Sequence, residues 1–177
     1  MRSIASRRIG AVAAAAATFI ALSAPVTGAQ SLQLSVGTPA PCEKATSAEL
    51  EQVVDDIYEH TNRERAAATV APVKRLDSLE RIARNWSQQM AEENRMYHNP
   101  GIRGQVEATY PRQWSSYGEN VLQNWCGATG EALVAQWMNS TPHRLNLLNP
   151  AHTHLGVGAA VADSRKLYST QNFVRLK

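Results

Sequence analysis

The sequence predicts an α+β fold in which helices pack on a small antiparallel sheet. Two observations support this prediction. Apolar residues recur at helical spacing between Leu50 and Met90, whereas Leu155–Val161 and Leu167–Val174 predict two strands joined by turn-forming residues. Helices early in the chain and strands late, without regular alternation, are typical of α+β proteins.

The first 29 residues have the order of regions found in a secretory signal peptide. Three arginines and no acidic residue precede an apolar run from Ile9 to about Leu22, and small residues lead to a cleavage site after Ala29. An uncleaved membrane anchor is the alternative, but the run is short for a full span. We therefore expect a secreted, extracellular protein of the cell envelope, with no membrane span after cleavage of residues 1–29.

The basic charge of the chain comes from this signal peptide. The full sequence has 18 Lys and Arg residues against 15 Asp and Glu, and three of the arginines lie before Ala29. Removing them leaves 15 residues of each sign, so no basic face is expected. We therefore expect no nucleic-acid partner.

Residues 30–45 contain two prolines and no apolar period, which predicts a flexible N-terminal arm before a single domain at 46–177. The chain has two cysteines, Cys42 and Cys126. In an exported chain an even pair predicts a disulfide, which would join the arm to the middle of the domain. Two free thiols are the alternative.

Two helices are predicted at the start of the domain. Thr46–Glu49 fits a capping box and begins a first helix that runs to about Ala67. Asp77–Glu80 begins a second helix in the same manner, which ends near Asn94. The buried stripe of the second helix is expected to consist of Leu79, Ile82, Ala83, Trp86 and Met90.

The second half of the domain predicts one long loop, two shorter helices and three strands. Residues 95–116 contain two prolines and two glycines and are expected to be irregular. Tyr117–Leu122 predicts a short strand, Thr129 caps a third helix, and Thr141-Pro142 begins a fourth. The two late strands, Leu155–Val161 and Leu167–Val174, then form a hairpin.

The four tryptophans divide by position. Trp86 and Trp137 lie on the apolar stripes of helices and are expected in the core. Trp114 and Trp125 lie in loops beside the predicted short strand. They either line a groove for a lipid or aromatic ligand or cover the sheet.

Six parts of the sequence occur in an order and at a spacing that match a known family. They are His60–Ala66, His98, Gly118–Asn120, Trp137–Arg144, His154–Gly158 and Tyr168–Phe173. Together they resemble the CAP superfamily, which comprises the cysteine-rich secretory proteins, antigen 5 and the pathogenesis-related class one proteins. Over about Glu49 to Phe173 the chain is most similar to the short bacterial SCP-like branch. The resemblance implies an α-β-α sandwich.

The resemblance also implies a central cleft lined by two histidines and two acidic residues. His98 and His143 match the two histidines, and Glu119 matches the first acid. Ser140 stands where eukaryotic members have the second acid, and Pro142 replaces the usual glycine. This chain therefore keeps three of the four cleft groups.

Two imidazoles and a carboxylate can form the first shell of a divalent metal such as zinc. On this hypothesis His98 and His143 are the ligands, with Glu119 as a possible third. A hydrogen-bonded cluster without metal is the alternative.

His152 and His154 would share one side of a strand, and a solvated strand entrance is favoured there over a metal pair.

Three functions are compatible with these residues. The first is a non-enzymatic extracellular binding module for an apolar ligand, such as a lipid, or a cell-envelope ligand, with metal assistance. The second is a metal-dependent hydrolase acting on envelope polymer or protein, with Glu119 as base. The third is a purely structural cluster in a surface protein whose loops bind another protein. The missing second carboxylate favours binding over catalysis.

Overall fold

The structure is a computed structural model that describes residues 45–177. The predicted signal peptide, the N-terminal arm up to its last residue, and Cys42 lie outside the described residues, so the disulfide stays a prediction. None of the described helices is long and apolar enough to cross a membrane. The elements are α1 (Ser47–Ala67), β1 (Lys74–Arg75), α2 (Asp77–Glu92), α3 (Ile102–Thr109), β2 (Trp114–Trp125), α4 (Gly130–Asn139), α5 (Thr141–Leu147), β3 (His154–Val161) and β4 (Lys166–Leu176).

The four strands form one sheet in the order β1-β3-β4-β2. β3 and β4 form the predicted antiparallel hairpin, and β2 pairs antiparallel with β4 along its length. β1 is a two-residue edge strand that runs parallel to β3, so the sheet is mixed. The α+β class is confirmed. The short parallel strand β1 was not predicted, because two residues are too few to show a periodic pattern.

Helices cover both faces of the sheet, which gives the α-β-α sandwich that the resemblance implies. Alternate residues of a strand face opposite sides. One face of the hairpin packs against α1, α4 and α5, in a core that includes Ile57, Leu133, Trp137, Leu147, Leu155 and Phe173. The other face packs against α2 and α3, with Leu79, Met90, Val106, Val121, Tyr168 and Val174.

Two glycines of β3 allow α2 to lie directly on the sheet. A Cβ at Gly156 would meet the backbone of Leu79 and Glu80, and one at Gly158 would meet the backbone of Ala83. Helix and strand backbones therefore touch at these positions. The close approach fixes the position of α2 and, through it, of the chain that follows.

The predicted caps of α1 and α4 are present. The Thr46 hydroxyl accepts the N–H of Glu49, and the Glu49 carboxylate accepts the N–H of Thr46 at 2.7 Å. The Thr129 hydroxyl accepts the N–H of Ala132 at 3.2 Å. Each bond satisfies a helix N–H that has no partner within the helix.

The capping box predicted at Asp77–Glu80 is wrong, although the helix does begin at Asp77. The residue at the cap position is Leu76, whose apolar side chain cannot accept a hydrogen bond. Glu80 instead turns towards two arginines, Arg75 at 2.6 Å and Arg84 at 3.0 Å. Two charged partners outcompete a single backbone N–H for the carboxylate.

The loop predicted at 95–116 is partly regular. Ile102 and Val106, one helical turn apart, are 7% and 0% exposed in α3. Gly104 lies between them and obscured the helical pattern. β2 is also longer than the predicted 117–122, because its two ends pair with β4 although their outer residues are exposed. Trp114 and Trp125, predicted to lie in loops, are the first and last residues of this strand.

Candidate functional site

A buried carboxylate and an exposed imidazole meet at edge strand β2. Glu119 lies in the middle of β2, and His98 lies in the connection between α2 and α3. His98 Nδ1 and Glu119 Oε1 are 2.8 Å apart, and the same oxygen accepts the backbone N–H of Asn99 at 2.9 Å. The Glu119 side chain is 4% exposed, whereas that of His98 is 65% exposed. The acid is therefore held inside and the imidazole at the surface.

Burial controls the protonation of Glu119. Removal from water raises the pKa of its carboxyl, and the hydrogen bonds from Asn99 and His98 act against that rise. Its second oxygen, Oε2, is buried without a hydrogen-bond partner among the described residues. Asn172, opposite Glu119 on β4, is fully buried, and neither polar atom of its side chain is bonded to a described residue. Unused polar capacity on one side of the sheet is typical of a site rather than of a closed core.

His143 lies in the first turn of α5, where it is half-buried. Its Nδ1 is buried and has no hydrogen-bond partner among residues 45–177. Burial lowers the pKa of His143, and the positive charge of His98 lowers it further. The two imidazoles are therefore near enough to repel each other when charged. Neutral imidazole, the form that binds metals, is favoured at His143.

A network of side-chain amides ties α5 to the sheet. Asn120 Nδ2 donates to the His143 carbonyl at 3.1 Å and to Gln171 Oε1 at 3.0 Å. Asn146 Nδ2 donates to the Glu119 carbonyl at 3.0 Å and to Asn120 Oδ1 at 3.1 Å. Glu119 on β2 and His143 on α5 are thus positioned by the same amides.

The network continues into the core. Gln171 is fully buried on β4, and its Nε2 donates to the hydroxyl of Thr61 on α1 at 2.7 Å. A connected set of hydrogen bonds therefore runs from α1 through both long strands to α5. Such fully paired amides specify one relative placement of these elements.

Ser140, the fourth cleft position, lies at the junction of α4 and α5. It is the cap residue of α5, where Thr141 was predicted, and its side chain makes no capping hydrogen bond. The helix starts with Thr141 and carries Pro142 in its first turn, as expected for a residue that lacks an N–H. No hydrogen bond joins the Ser140 side chain to the other three cleft residues. A short hydroxyl cannot replace the reach or the charge of a glutamate.

The prediction that His152 and His154 form a solvated strand entrance is wrong for His152. It is 3% exposed, its ring stacks on Phe173 at 5.2 Å, and its Nδ1 lies 3.1 Å from the Asn146 carbonyl. Its own carbonyl accepts from the buried guanidinium of Arg65. His152 packs beneath α5 and is not available to a ligand.

Sequence reasoning missed two residues of the site, Asn99 and Asn146. Asn99 contributes a backbone N–H, which no sequence pattern reveals. Asn146 follows His143 by three positions in a helix, so both share one face. An amide at this spacing from a cleft histidine is the signal that would have identified it.

Among residues 45–177, no group of three or more His, Cys, Asp or Glu side chains lies together as a preformed metal site. His98 directs Nδ1 to Glu119, which leaves its Nε2 as the nitrogen for a ligand. A carboxylate on the far nitrogen is how proteins orient metal-binding histidines. Glu119 is thus placed to support the His98 ring rather than to act as a metal ligand itself.

The sequence profile of the cysteine-rich secretory protein family, CAP, matches residues 58–173. The uncharacterized protein YkwD of Bacillus subtilis is 33% identical over 121 residues, which cover 67% of this chain and 45% of YkwD. The membrane protein YlbC of the same organism is 48% identical over 58 residues, 33% of this chain and 15% of YlbC. The chain thus spans less than half the length of these curated relatives.

Solved structures share the fold. An extracellular protein with an SCP domain from Bacillus anthracis superposes with a TM-score of 0.60 at 27% identity, covering 74% of this chain and 44% of that one. A cysteine-rich secretory protein from Staphylococcus aureus gives 0.59 at 23% identity, over 73% of this chain and 40% of the other. An outer surface protein of Borrelia burgdorferi gives 0.63 at 18% identity, over 76% of this chain and 98% of the other.

The last two likenesses, with less than 25% identity, concern the fold alone. The sandwich architecture, the order of the motifs and the profile match agree with one another. This chain belongs to the cysteine-rich secretory protein (CAP) family.

Proposed function

We propose that this protein is a secreted, non-enzymatic binding module of the cell exterior. Its cleft of His98, Glu119 and His143 takes up a divalent metal such as zinc and an apolar or envelope-derived ligand. One observation carries the proposal. Glu119 holds His98 with one oxygen, while its other oxygen and His143 Nδ1 are buried and have no hydrogen-bond partner among residues 45–177. Buried polar atoms without partners cost free energy unless a ligand satisfies them.

An extracellular location is supported by the neighbours and by the expected signal peptide. The Bacillus anthracis neighbour is described as extracellular and the Borrelia burgdorferi neighbour as an outer surface protein. An exported module lies beside the components of the cell envelope, and we therefore propose its ligand among them.

In the metal-bound form, His98 Nε2 and an imidazole nitrogen of His143 would serve as ligands. Zinc in such an open site would supply a Lewis acid with positions left for a ligand. Glu119 would orient the His98 ring and strengthen it as a base, rather than act as a ligand itself. The lowered pKa of His143 keeps that ring neutral, so no proton must be displaced there.

The alternative is a metal-dependent hydrolase acting on envelope polymer or protein. The raised pKa of Glu119 favours it, because a carboxyl with a raised pKa can act as a general base near neutral pH. Ser140 in place of the second carboxylate opposes it, since a hydroxyl at that position cannot protonate a leaving group as an acid would.

Calorimetry with zinc tests the proposal. The purified protein should bind zinc, and His98→Ala and His143→Ala should each weaken binding by about tenfold or more. His60→Ala is the matched control, because His60 lies on α1 and its ring is near Arg63 rather than the cleft residues. Equal zinc affinity in all four proteins would remove the metal from the proposal.

Native mass spectrometry of the protein from its own source tests the ligand. A co-purified envelope component or lipid is expected, and its absence from every preparation would contradict a stable binding module. Turnover of wall polymer or peptide that Glu119→Gln abolishes would instead establish the hydrolase.

A further inference from the structure

A groove of about 630 Å³ opens between α2 and α3. It lies beside the cleft but apart from its histidines, and the Asn99 side chain forms part of its wall. Its volume is within the range of about 300–1,000 Å³ typical of small-molecule sites. No charged side chain lines it among the described residues. The residues that carry the argument are Ile82, Asn85, Trp86, Gln89, Tyr97 and Gln105.

Trp86 provides a rigid aromatic wall. It was predicted to lie in the core, yet it is only partly buried and borders the groove. Its indole N–H donates to the Tyr97 carbonyl at 2.9 Å, and the two rings meet edge to face with centroids 4.7 Å apart. The ring is therefore fixed before any ligand arrives, so binding requires little loss of side-chain entropy.

Carboxamides surround this ring and have capacity to spare. The side chain of Asn85 makes no hydrogen bond to another described residue. Gln89 donates to Glu93 and keeps its oxygen as an acceptor. Gln105 accepts from Asn99 at 2.8 Å and keeps its NH₂ as a donor. Donors and acceptors are thus both available around an aromatic surface.

We propose that the α2–α3 groove binds a neutral, N-acetylated sugar unit of an envelope glycan. A sugar ring offers an apolar C–H face to an indole and a rim of hydroxyls to carboxamides. The apolar wall at Ile82 and Ala108 suits the methyl of an acetamido group. An ionic ligand would find no countercharge, and a fatty chain would leave the carboxamides unpaired. The proposal deepens the proposed function by naming a class of envelope-derived ligand, and rests on it only for the extracellular setting.

The test is calorimetry of the purified protein with the β-1,4-linked tetramer of N-acetylglucosamine. We expect saturable binding. We expect the glucose tetramer of the same linkage to bind several-fold more weakly, because it lacks the acetamido group. Palmitate should not displace the acetylated tetramer. No binding of the acetylated tetramer at millimolar concentration, or its displacement by palmitate, would overturn the proposal.

Variants locate the binding in the groove. Asn85→Ala removes an exposed, unbonded side chain and should fold normally, yet weaken tetramer binding by about tenfold. Gln88→Ala is its control, since Gln88 is exposed on α2 and does not line this groove. Trp86→Ala should lose more affinity, whereas removal of the exposed indole in Trp125→Ala should change nothing. Unchanged affinity in Asn85→Ala would refute the assignment.

The metal variants separate this proposal from the preceding one. His98→Ala and His143→Ala should bind the tetramer as the unmodified protein does, because neither histidine lines the groove. Loss of tetramer binding in both would place the sugar in the cleft and overturn the inference. Zinc binding that persists in Asn85→Ala and Trp86→Ala is the corresponding expectation for the cleft.

Discussion

Replacing Glu119 by alanine or by glutamine separates the two roles of its carboxyl group. Oε1 accepts hydrogen bonds from the Asn99 N–H and His98, and the group also carries a charge in a buried place. Alanine removes both the acceptor and the charge. Glutamine keeps a carbonyl oxygen of the same reach and removes only the charge. The difference between the two variants therefore measures the hydrogen bonds, and the difference between glutamine and the unmodified protein measures the charge.

The expected magnitude follows from the exposure of the two donors. Asn99 is 4% exposed, so its N–H cannot turn to water when the acceptor is removed. A buried, unsatisfied donor costs about 1–3 kcal/mol. His98 is 65% exposed and regains water, so its bond adds less than about 1 kcal/mol. We expect Glu119→Ala to lower the free energy of unfolding by about 1–3 kcal/mol and Tm by roughly 3–10 °C.

Glutamine should behave differently, and the difference should depend on pH. Because the folded protein raises the pKa of Glu119, it holds this proton at pH values where the unfolded chain has released it. The stabilising contribution of protonated Glu119 is therefore complete below the ordinary pKa of 4.5 and is lost as pH rises through the folded value. Glu119→Gln should match the unmodified protein at low pH and exceed it in stability at neutral pH.

Urea denaturation of the three proteins at pH 4 and pH 7 measures these quantities. Circular dichroism at each pH confirms that the variants start from the native fold. Glutamine as damaging as alanine at pH 7 would show that the charge stabilises the site. An alanine variant as stable as the unmodified protein would show that the Asn99 N–H has another acceptor. Either result would refute the reasoning.

Three further predictions concern the scaffold around the site. Burial lowers the pKa of His152 below its ordinary 6.5, so its contribution to stability is present above pH 6.5 and is lost as pH falls towards the folded value; His152→Gln should flatten the stability profile in that window, and an unchanged slope would contradict this. Arg65 is fully buried, and its guanidinium donates hydrogen bonds to four backbone carbonyls. Arg65→Lys should therefore lower the free energy of unfolding in urea by about 3 kcal/mol or more. Arg63→Lys, on the exposed face of the same helix, is the control and should lower it by less than about 0.5 kcal/mol. Gly156→Ala should destabilise the fold by about 1–3 kcal/mol, because the added Cβ would clash with the backbone of α2. Gly104→Ala, with open space around the added Cβ, should stabilise the fold slightly. Equal melting temperatures for these two variants would argue against the close contact between α2 and β3.

Helices whose ends carry their own signals were predictable from the sequence. α1 has a capping box at Thr46, and α4 has a threonine cap at Thr129. Local hydrogen bonds define both starts, so the residues alone contain the information. The second helix was placed correctly by its apolar period, while its cap was misassigned because Glu80 binds Arg75 in the preceding strand and Arg84 one turn further along the same helix.

Elements that depend on distant partners were harder to predict. α3 has only two buried residues, Ile102 and Val106, and is stabilised by packing on α2 and β4. β1 has two residues that pair with β3 across a long separation in sequence. Neither carries a period long enough to detect. Tertiary contacts, rather than local propensity, decide both.

The candidate site was predictable in part and for a different reason. His98, Glu119 and His143 were named through the resemblance, and the structure places the first two in direct contact. The burial of Glu119 beneath an exposed His98 could not be foreseen, because it depends on the register of β2 with β4. His152 was misread for the same reason, since its stacking on Phe173 follows from the fold.

The amides that link α1 to α5 have a fixed direction. In the pair formed by Asn120 and Gln171, one side chain offers nitrogen and the other oxygen at 3.0 Å. An aspartate at position 120 would set two oxygens against each other unless residue 171 turned its amide and gave up Thr61. A substitution at one of these two positions, which lie 51 residues apart along the chain, therefore requires a matching substitution at the other. In related sequences they should be exchanged together or not at all.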